Sequence, residues 1–310
     1  MREDFVNETA RILGIARRDL VEKDLIIHQM LADLANNDFF SSNFLFKGGT
    51  CLIKSYFGYV RFSEDIDFTW KDQKTFADKS QKAIRSYLSK IIDRTGRVFE
   101  EIASKRELDF KLEKRNPDYI EFGGGNKSCT LKVWYTSEIL KRSFIKVQIN
   151  FVEKMCYKHK KGRLNSLLTK KHAELEALFP QYMKYSKPIN FSVYDIREIL
   201  SEKVRALMTR EGTKARDFLD IYFIDERFGV KPQKVETCIV EKMNFALKLY
   251  KKYRTNLKEK IALLNSESLF EWDKERDLLL IDIDEREFYS FLAEFQDFLK
   301  KVIKELRVNR

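Results

Sequence analysis

The 310-residue chain has only four cysteines, three histidines and four prolines, and no apolar run of membrane-spanning length. Cys51, Cys129, Cys156 and Cys238 are scattered, with no Cys-x-x-Cys pair and no clustered histidine beside them. That spacing argues against both a disulfide framework and a structural zinc site. His28, His159 and His172 stand alone, so each reads as a surface or satisfied core residue rather than a ligand or general base. No stretch approaches the roughly 18 apolar residues of a transmembrane helix, and the N-terminal Met-Arg-Glu-Asp-Phe-Val-Asn-Glu lacks a signal-peptide apolar centre. A cytoplasmic protein without membrane partners is expected. Internal repeats and low-complexity segments are absent too.

What is present is enough apolar material for a sizeable core and a surplus of positive charge. The hydrophobic content is 44%, and 59 Lys plus Arg against 48 Asp plus Glu leave a formal charge of +11. That balance suits a polyanionic partner, but it equally suits an ordinary soluble surface. The 25 Phe, 13 Tyr and three Trp supply stacking groups, most of them core residues. The length fits two lobes.

Along the chain, residues 1–40 carry apolar positions at three- and four-residue spacing and read as helices. A charged amphipathic helix is expected from Lys74 to Asp93, with Phe76, Ile84, Leu88 and Ile91 as its buried stripe. From Leu108 to Lys154 the period changes to two, predicting strands at Leu108–Leu112, Tyr119–Phe122, Thr130–Tyr135 and Ile145–Phe151. Gly123-Gly124-Gly125-Asn126 reads as a hairpin turn, because it joins strand to strand and no helix follows it. A basic cluster at Lys158–Lys161 opens a less regular stretch ending near Pro180 and Pro188, taken as the junction between lobes. Beyond it helices dominate, and the Leu278–Ile283 run is the remaining strand candidate. The class is α+β, with domains over 1–188 and 189–310.

Chemistry concentrates between Phe44 and Trp70. The apolar Phe44-Leu45-Phe46 runs into Lys47-Gly48-Gly49-Thr50, where glycines without a Cβ let backbone N–H groups approach a phosphate at the positive end of a following helix. Further on comes Arg61-Phe62-Ser63-Glu64-Asp65-Ile66-Asp67-Phe68. A period of two puts Asp65 and Asp67 on one face while Ile66 and Phe68 turn to the core. Two such carboxylates repel unless a hard dication such as Mg²⁺ sits between them.

Later, Asp195 is a candidate N-cap with Glu198 three residues on, a capping-box spacing. On that helix Ile196, Ile199, Leu200, Lys203 and Leu207 share a stripe, so Lys203 interrupts an apolar face. Its stem either snorkels to water or its charge is wanted where phosphates sit. After Gly212, Asp217 falls on a face with Ile221 and Ile224, whereas Asp220 fits an i,i+4 pair with Arg216. Asp217 is accordingly assigned to the site and Asp220 to structure.

Together Phe46-Lys47-Gly48-Gly49-Thr50-x-Leu52, Arg61-Phe62-Ser63-Glu64-Asp65-Ile66-Asp67, Glu202-Lys203-x-x-Ala206-Leu207 and Arg216-Asp217-x-x-Asp220-x-Tyr222 resemble the AbiEii/AbiGii toxin family of nucleotidyltransferases, known from abortive infection and type IV toxin–antitoxin systems. The resemblance covers roughly residues 15–225, with four blocks in the family's order. It implies a nucleotidyltransferase fold joined to a helical lobe, with the active site in the cleft between them. It also implies triphosphate binding by Gly48, Gly49, Thr50 and Ser63, Mg²⁺ held by Asp65 and Asp67, a phosphate contact from Lys203, and an essential carboxylate at Asp217. Family members use GTP or add nucleotides to tRNA, and a cognate antitoxin usually accompanies them. The sequence departs from many nucleotidyltransferases at the strand Lys146–Phe151. There Gln148 and Asn150 stand where a third carboxylate is usual, so either Asp217 supplies that charge or the acceptor is activated in another way.

The implied reaction is Mg²⁺-dependent transfer of a nucleotide from an NTP to a hydroxyl, with a tRNA 3′ end as the favoured acceptor. Such a transfer runs on positioning and charge neutralisation without a Ser-His or Cys-His pair. Basic clusters at Lys158–Lys161 and Lys248–Arg254 are candidate guides for a phosphate backbone, or else solvated surface. The alternatives are nucleotidylation of a protein side chain and a non-catalytic RNA- or partner-binding module.

Overall fold

Alternation of apolar and acidic residues at 65–68 is realised as strand: Ile66 and Phe68 are fully buried while Asp65 and Asp67 remain part-exposed on the opposite face. The structure, a computed structural model, describes residues 3–76, 79–170, 172–266, 268–271 and 279–306. The chain divides into two compact units, Met1–Glu153 with His159–Val193, and Lys154–Lys158 with Tyr194–Arg310.

The first unit opens with helices α1 (Glu3–Leu13), α2 (Arg18–Asn36) and α3 (Asp38–Asn43), as the apolar spacing predicts. Strand β1 (Phe44–Lys47) leads into α4 (Gly48–Leu52), which continues as a π-helical turn over Ile53–Phe57 and stops at Gly58. Then come β2 (Asp65–Trp70), α5 (Gln81–Arg106), β3 (Ile120–Gly123), β4 (Ser128–Ser137), β5 (Lys141–Asn150), β6 (Lys160–Leu164), the short α6 (Ala173–Leu178) and β7 (Ile189–Val193). The strands form one mixed sheet in the order β3-β4-β5-β2-β1-β7-β6, with β2–β5 and β1–β7 parallel and the other pairs antiparallel. The glycine-rich turn joins β3 to β4 as an antiparallel hairpin, as expected.

Behind β2 the core is aromatic. Phe40 stacks on Phe44 at 4.3 Å and meets Phe68 edge-on at 4.8 Å, while Phe68 also packs on Phe46 at 5.4 Å and Phe191 at 5.8 Å. Offset and edge-to-face rings add to area burial, so this cluster fixes β1, β2 and β7 against α3 beneath the acid-bearing face. His28, expected as a surface or satisfied core residue, is buried but only half satisfied: its Nε2 lies 2.9 Å from the Lys187 carbonyl, its Nδ1 has no hydrogen-bond partner, and burial and the Lys54 charge push its pKa down to about 4.

Several expectations need correction. The helix read as Lys74–Asp93 begins later, at a Ser80 cap whose hydroxyl accepts from Ala83 N at 3.2 Å, and runs on to Arg106 because Val98, Phe99 and Ile102 extend the buried stripe. Phe76 sits in a separate 3₁₀ turn, and residues 77 and 78 lie outside the described residues. Leu108–Leu112 is not a strand. Only Asp109 pairs with β4, exchanging both backbone bonds with Trp134, while Phe110 is buried by packing on Phe99 and Tyr119. The stretch after Lys158 is more regular than expected, since β6 and β7 pair there and β7 places Phe46 beside Val193. Leu278 lies outside the described residues, and 279–283 carry no strand of the sheet.

In the second unit helices α7 (Ile196–Thr209), α8 (Ala215–Phe228), α9 (Glu236–Leu249), α10 (Lys251–Asn265) and α11 (Glu285–Glu305) pack around Ile199, Leu200, Val204, Leu207, Ile221, Ile224, Ile239 and Met243, all buried. Phe218, Tyr222 and Phe288 join α8 to α11.

Candidate functional site

In the first unit the site is built by the turn from β1 into α4 and by the antiparallel return of β2, which sets Lys47 opposite Asp67. Gly48 lies directly against that acid. Its φ is +79°, and a Cβ there would stand 2.2 Å from Asp67 Oδ2, so both the backbone conformation and the space require glycine. Gly49 is pressed as closely on the other side, where a Cβ would come 2.8 Å from Arg61 Nη2 and 3.0 Å from Ser63 Oγ. Thr50 Oγ1 lies 2.9 Å from Ser63 Oγ and is also bonded to the Asp65 carbonyl. Arg61 is almost fully buried and donates through Nη1 to the Phe62 carbonyl at 2.6 Å. The fold therefore gathers Gly48, Gly49, Thr50, Ser63, Asp65 and Asp67 at one end of the central strands.

Register on the neighbouring strand sets Lys146 beside Asp65, Gln148 beside Asp67 and Asn150 beside Thr69. A neutral amide thus occupies the place beside Asp67. Asn150 has another use, donating through Nδ2 to Glu153 Oε1 at 2.5 Å. Glu153 also accepts from Thr69 Oγ1 at 2.9 Å and pairs with Lys47, both partners being nearly buried. Sequence reading passed over Glu153 because it lies past the end of β5, where the period of two no longer applies; its spacing of three from Asn150 was the available signal.

In the second unit Asp195 caps α7 as expected, accepting from Arg197 N at 3.0 Å. Glu198 does not complete a capping box. Its Oε2 accepts from Cys156 N at 3.0 Å and Tyr157 N at 2.7 Å, and its Oε1 lies 2.5 Å from Lys242 Nζ, so a buried ammonium and two amides distant in sequence outcompete the local cap. Lys203 sits between the two acids of α8, with Nζ 2.9 Å from Asp217 Oδ1 and 2.7 Å from Asp220 Oδ2. Arg210 Nη1 adds a contact to Asp217 Oδ2 at 3.1 Å. Burial alone would raise the pKa of Asp217, but Lys203 and Arg210 override it and hold the carboxyl at about 2. Asp217 and Asp220 are both buried and both pair with Lys203.

A profile of the nucleotidyl transferase AbiEii toxin of type IV toxin–antitoxin systems matches residues 29–306. The chain belongs to the AbiEii family. It is a nucleotidyltransferase of the toxin class, with a nucleotide as substrate and an antitoxin as partner. No curated protein matches the chain. Among solved structures, an antigenic nucleotidyltransferase-like protein from Paracoccidioides brasiliensis is similar at 15% identity and a TM-score of 0.31, covering 76% of this chain and 93% of its own, a likeness too loose to carry an argument. The AbiEii match spans both units, taking in the acid-bearing strand and the Lys203 cluster. No described helix is long and apolar enough to cross a membrane.

Proposed function

We propose that this AbiEii protein transfers a nucleotide from an NTP to an RNA hydroxyl, with a tRNA 3′ end as acceptor, in the cytoplasm as part of phage defence. The observation that carries the reading is the contact of Gly48 with Asp67, which ties the phosphate-loop glycines to the acid pair. Two part-exposed carboxylates on one face of β2 are an all-oxygen donor set, and that set fits a hard dication. Asp65 and Asp67 would hold Mg²⁺, which when bound supplies charge neutralisation at the triphosphate.

The remaining roles fall to the chain itself. Gly48 and Gly49 admit the triphosphate close to the backbone, and the Thr50 and Ser63 hydroxyls orient it by hydrogen bonding. Lys203 offsets negative charge as pyrophosphate leaves, and Asp217 acts by holding that ammonium in place. The exposed lysines at 158, 160, 161, 248, 251 and 252 support a phosphate-backbone partner.

The test is incubation of purified protein with each α-labelled NTP, Mg²⁺ and total tRNA, beside separate protein pools, with Asp67→Ala as control. Label in tRNA that requires Asp67 is expected. Label in the protein pool alone would replace RNA by a protein acceptor, and no transfer with any NTP would overturn the reading.

A further inference from the structure

Cys156 and Cys238 are far apart in sequence, yet the second unit brings them together. Cys156 lies on the strap Lys154–Lys158, Glu198 on the first turn of α7 and Cys238 on α9. Their two Sγ atoms and a Glu198 carboxylate oxygen all lie within 4.8 Å of one another. Glu198 and Cys238 are buried, while Cys156 reaches solvent. The carboxylate is oriented by the amides of Cys156 and Tyr157, and the Cys156 thiol lies 3.9 Å from Glu241 Oε2. Buried Lys242 braces the group, with Nζ 2.5 Å from Glu198 Oε1 and 2.8 Å from Glu202 Oε1 while donating to the Lys154 carbonyl at 2.6 Å.

We propose that Cys156, Cys238 and Glu198 form a binding site for a thiophilic divalent cation of the Zn²⁺ class, separate in ligand chemistry from the all-oxygen pair at Asp65 and Asp67. Thiolates select soft or borderline metals, whereas carboxylates alone suit Mg²⁺. The ligand atoms of a tetrahedral zinc centre stand roughly 3.3–3.8 Å apart, so a trio already this close needs only small side-chain shifts. Charge closes as well: two thiolates, the Glu198 and Glu202 carboxylates, the Lys242 ammonium, the Arg205 guanidinium that pairs with Glu202, and a dication sum to zero. On binding, each thiol releases its proton to solvent, and the fourth coordination position opens toward water beside Cys156. The bound cation would pin the strap to α7 and α9. Sequence spacing hid this trio because its members come from three separate elements.

The test is titration of the reduced full-length protein with Co²⁺, followed by displacement with Zn²⁺. A thiolate-to-cobalt charge-transfer band is expected, abolished by Zn²⁺ and lost in Cys156→Ser and in Cys238→Ser while Asp67→Ala retains it. Circular dichroism establishes that the serine variants are folded, and the wild-type titration stands without them. No band in folded, reduced wild-type protein would overturn the proposal, as would a band that survives Cys156→Ser. A protein that forms a Cys156–Cys238 disulfide under peroxide but takes up no Co²⁺ when reduced would overturn it too.

Discussion

Two acid pairs of the molecule, one in each unit, sit in opposite surroundings. Asp65 and Asp67, two apart on a strand, point from the same face into a part-exposed place lined by Gly48, with Lys146 and Gln148 as strand neighbours. Asp217 and Asp220, three apart on a helix, are buried and share the Lys203 ammonium. Buried charge is tolerated only when the chain supplies its counter-charge, so the second pair stabilises its unit as well as holding Lys203. A pair left within reach of solvent can instead accept an incoming cation. Removing a charge should therefore cost activity alone in one place and activity together with stability in the other.

The largest contrast is expected from Asp67→Ala, which should lower nucleotide transfer by about 10³-fold or more while the unfolding free energy in urea changes by no more than about 1 kcal/mol. A loss of stability as large as its loss of activity would erase the distinction. Lys203→Met should lower transfer as well, but together with a loss of stability of about 3 kcal/mol or more, because two buried carboxylates lose their shared partner. Adding Asp220→Asn to that variant should recover part of the loss, and additive effects in this double-mutant cycle would break the idea of a shared cluster.

A smaller effect sharpens the comparison through pH. Asp217 is held at about 2 against an ordinary value of 3.8, so its folded-state pKa is depressed. Its stabilisation is present above the ordinary value and lost as pH falls toward about 2, amounting to on the order of 2 kcal/mol. Urea midpoints measured from pH 5 down to pH 2 should show this acid slope, and Asp217→Asn should flatten it. Smallest of all, Gly48→Ala should reduce stability by about 1 kcal/mol through its positive φ and its crowding of Asp67. Its signature is a raised Mg²⁺ requirement for transfer, and an unchanged requirement would separate the loop from the acid pair.

Where the forces were local, the residues announced the structure. Alternation placed Asp65 and Asp67 on one face, and three-and-four spacing placed Lys203 among Ile199, Leu200 and Leu207. The misses are places where a distant partner prevails. Glu198 has capping-box spacing, but Lys242 and the amides of Cys156 and Tyr157 claim its carboxylate. Asn150 resembles a weakened metal position, but Glu153 accepts its amide. Leu108–Leu112 alternates like a strand, yet the burial of Phe110 comes from aromatic neighbours rather than a full ladder. Strand β7 is only five residues long and follows Pro188, so its pairing with β1 and β6 was invisible in the local pattern.

Neither unit is a single uninterrupted stretch of polypeptide, since Lys154–Lys158 is spliced into the helical unit between two strands of the sheet unit. A protease cut at the peptide bond after Val193 would therefore leave a five-residue piece of the front fragment embedded in the rear one. The two fragments should elute together under native conditions and part only on denaturation, so this protein cannot be dissected into independent halves by truncating its gene at that joint.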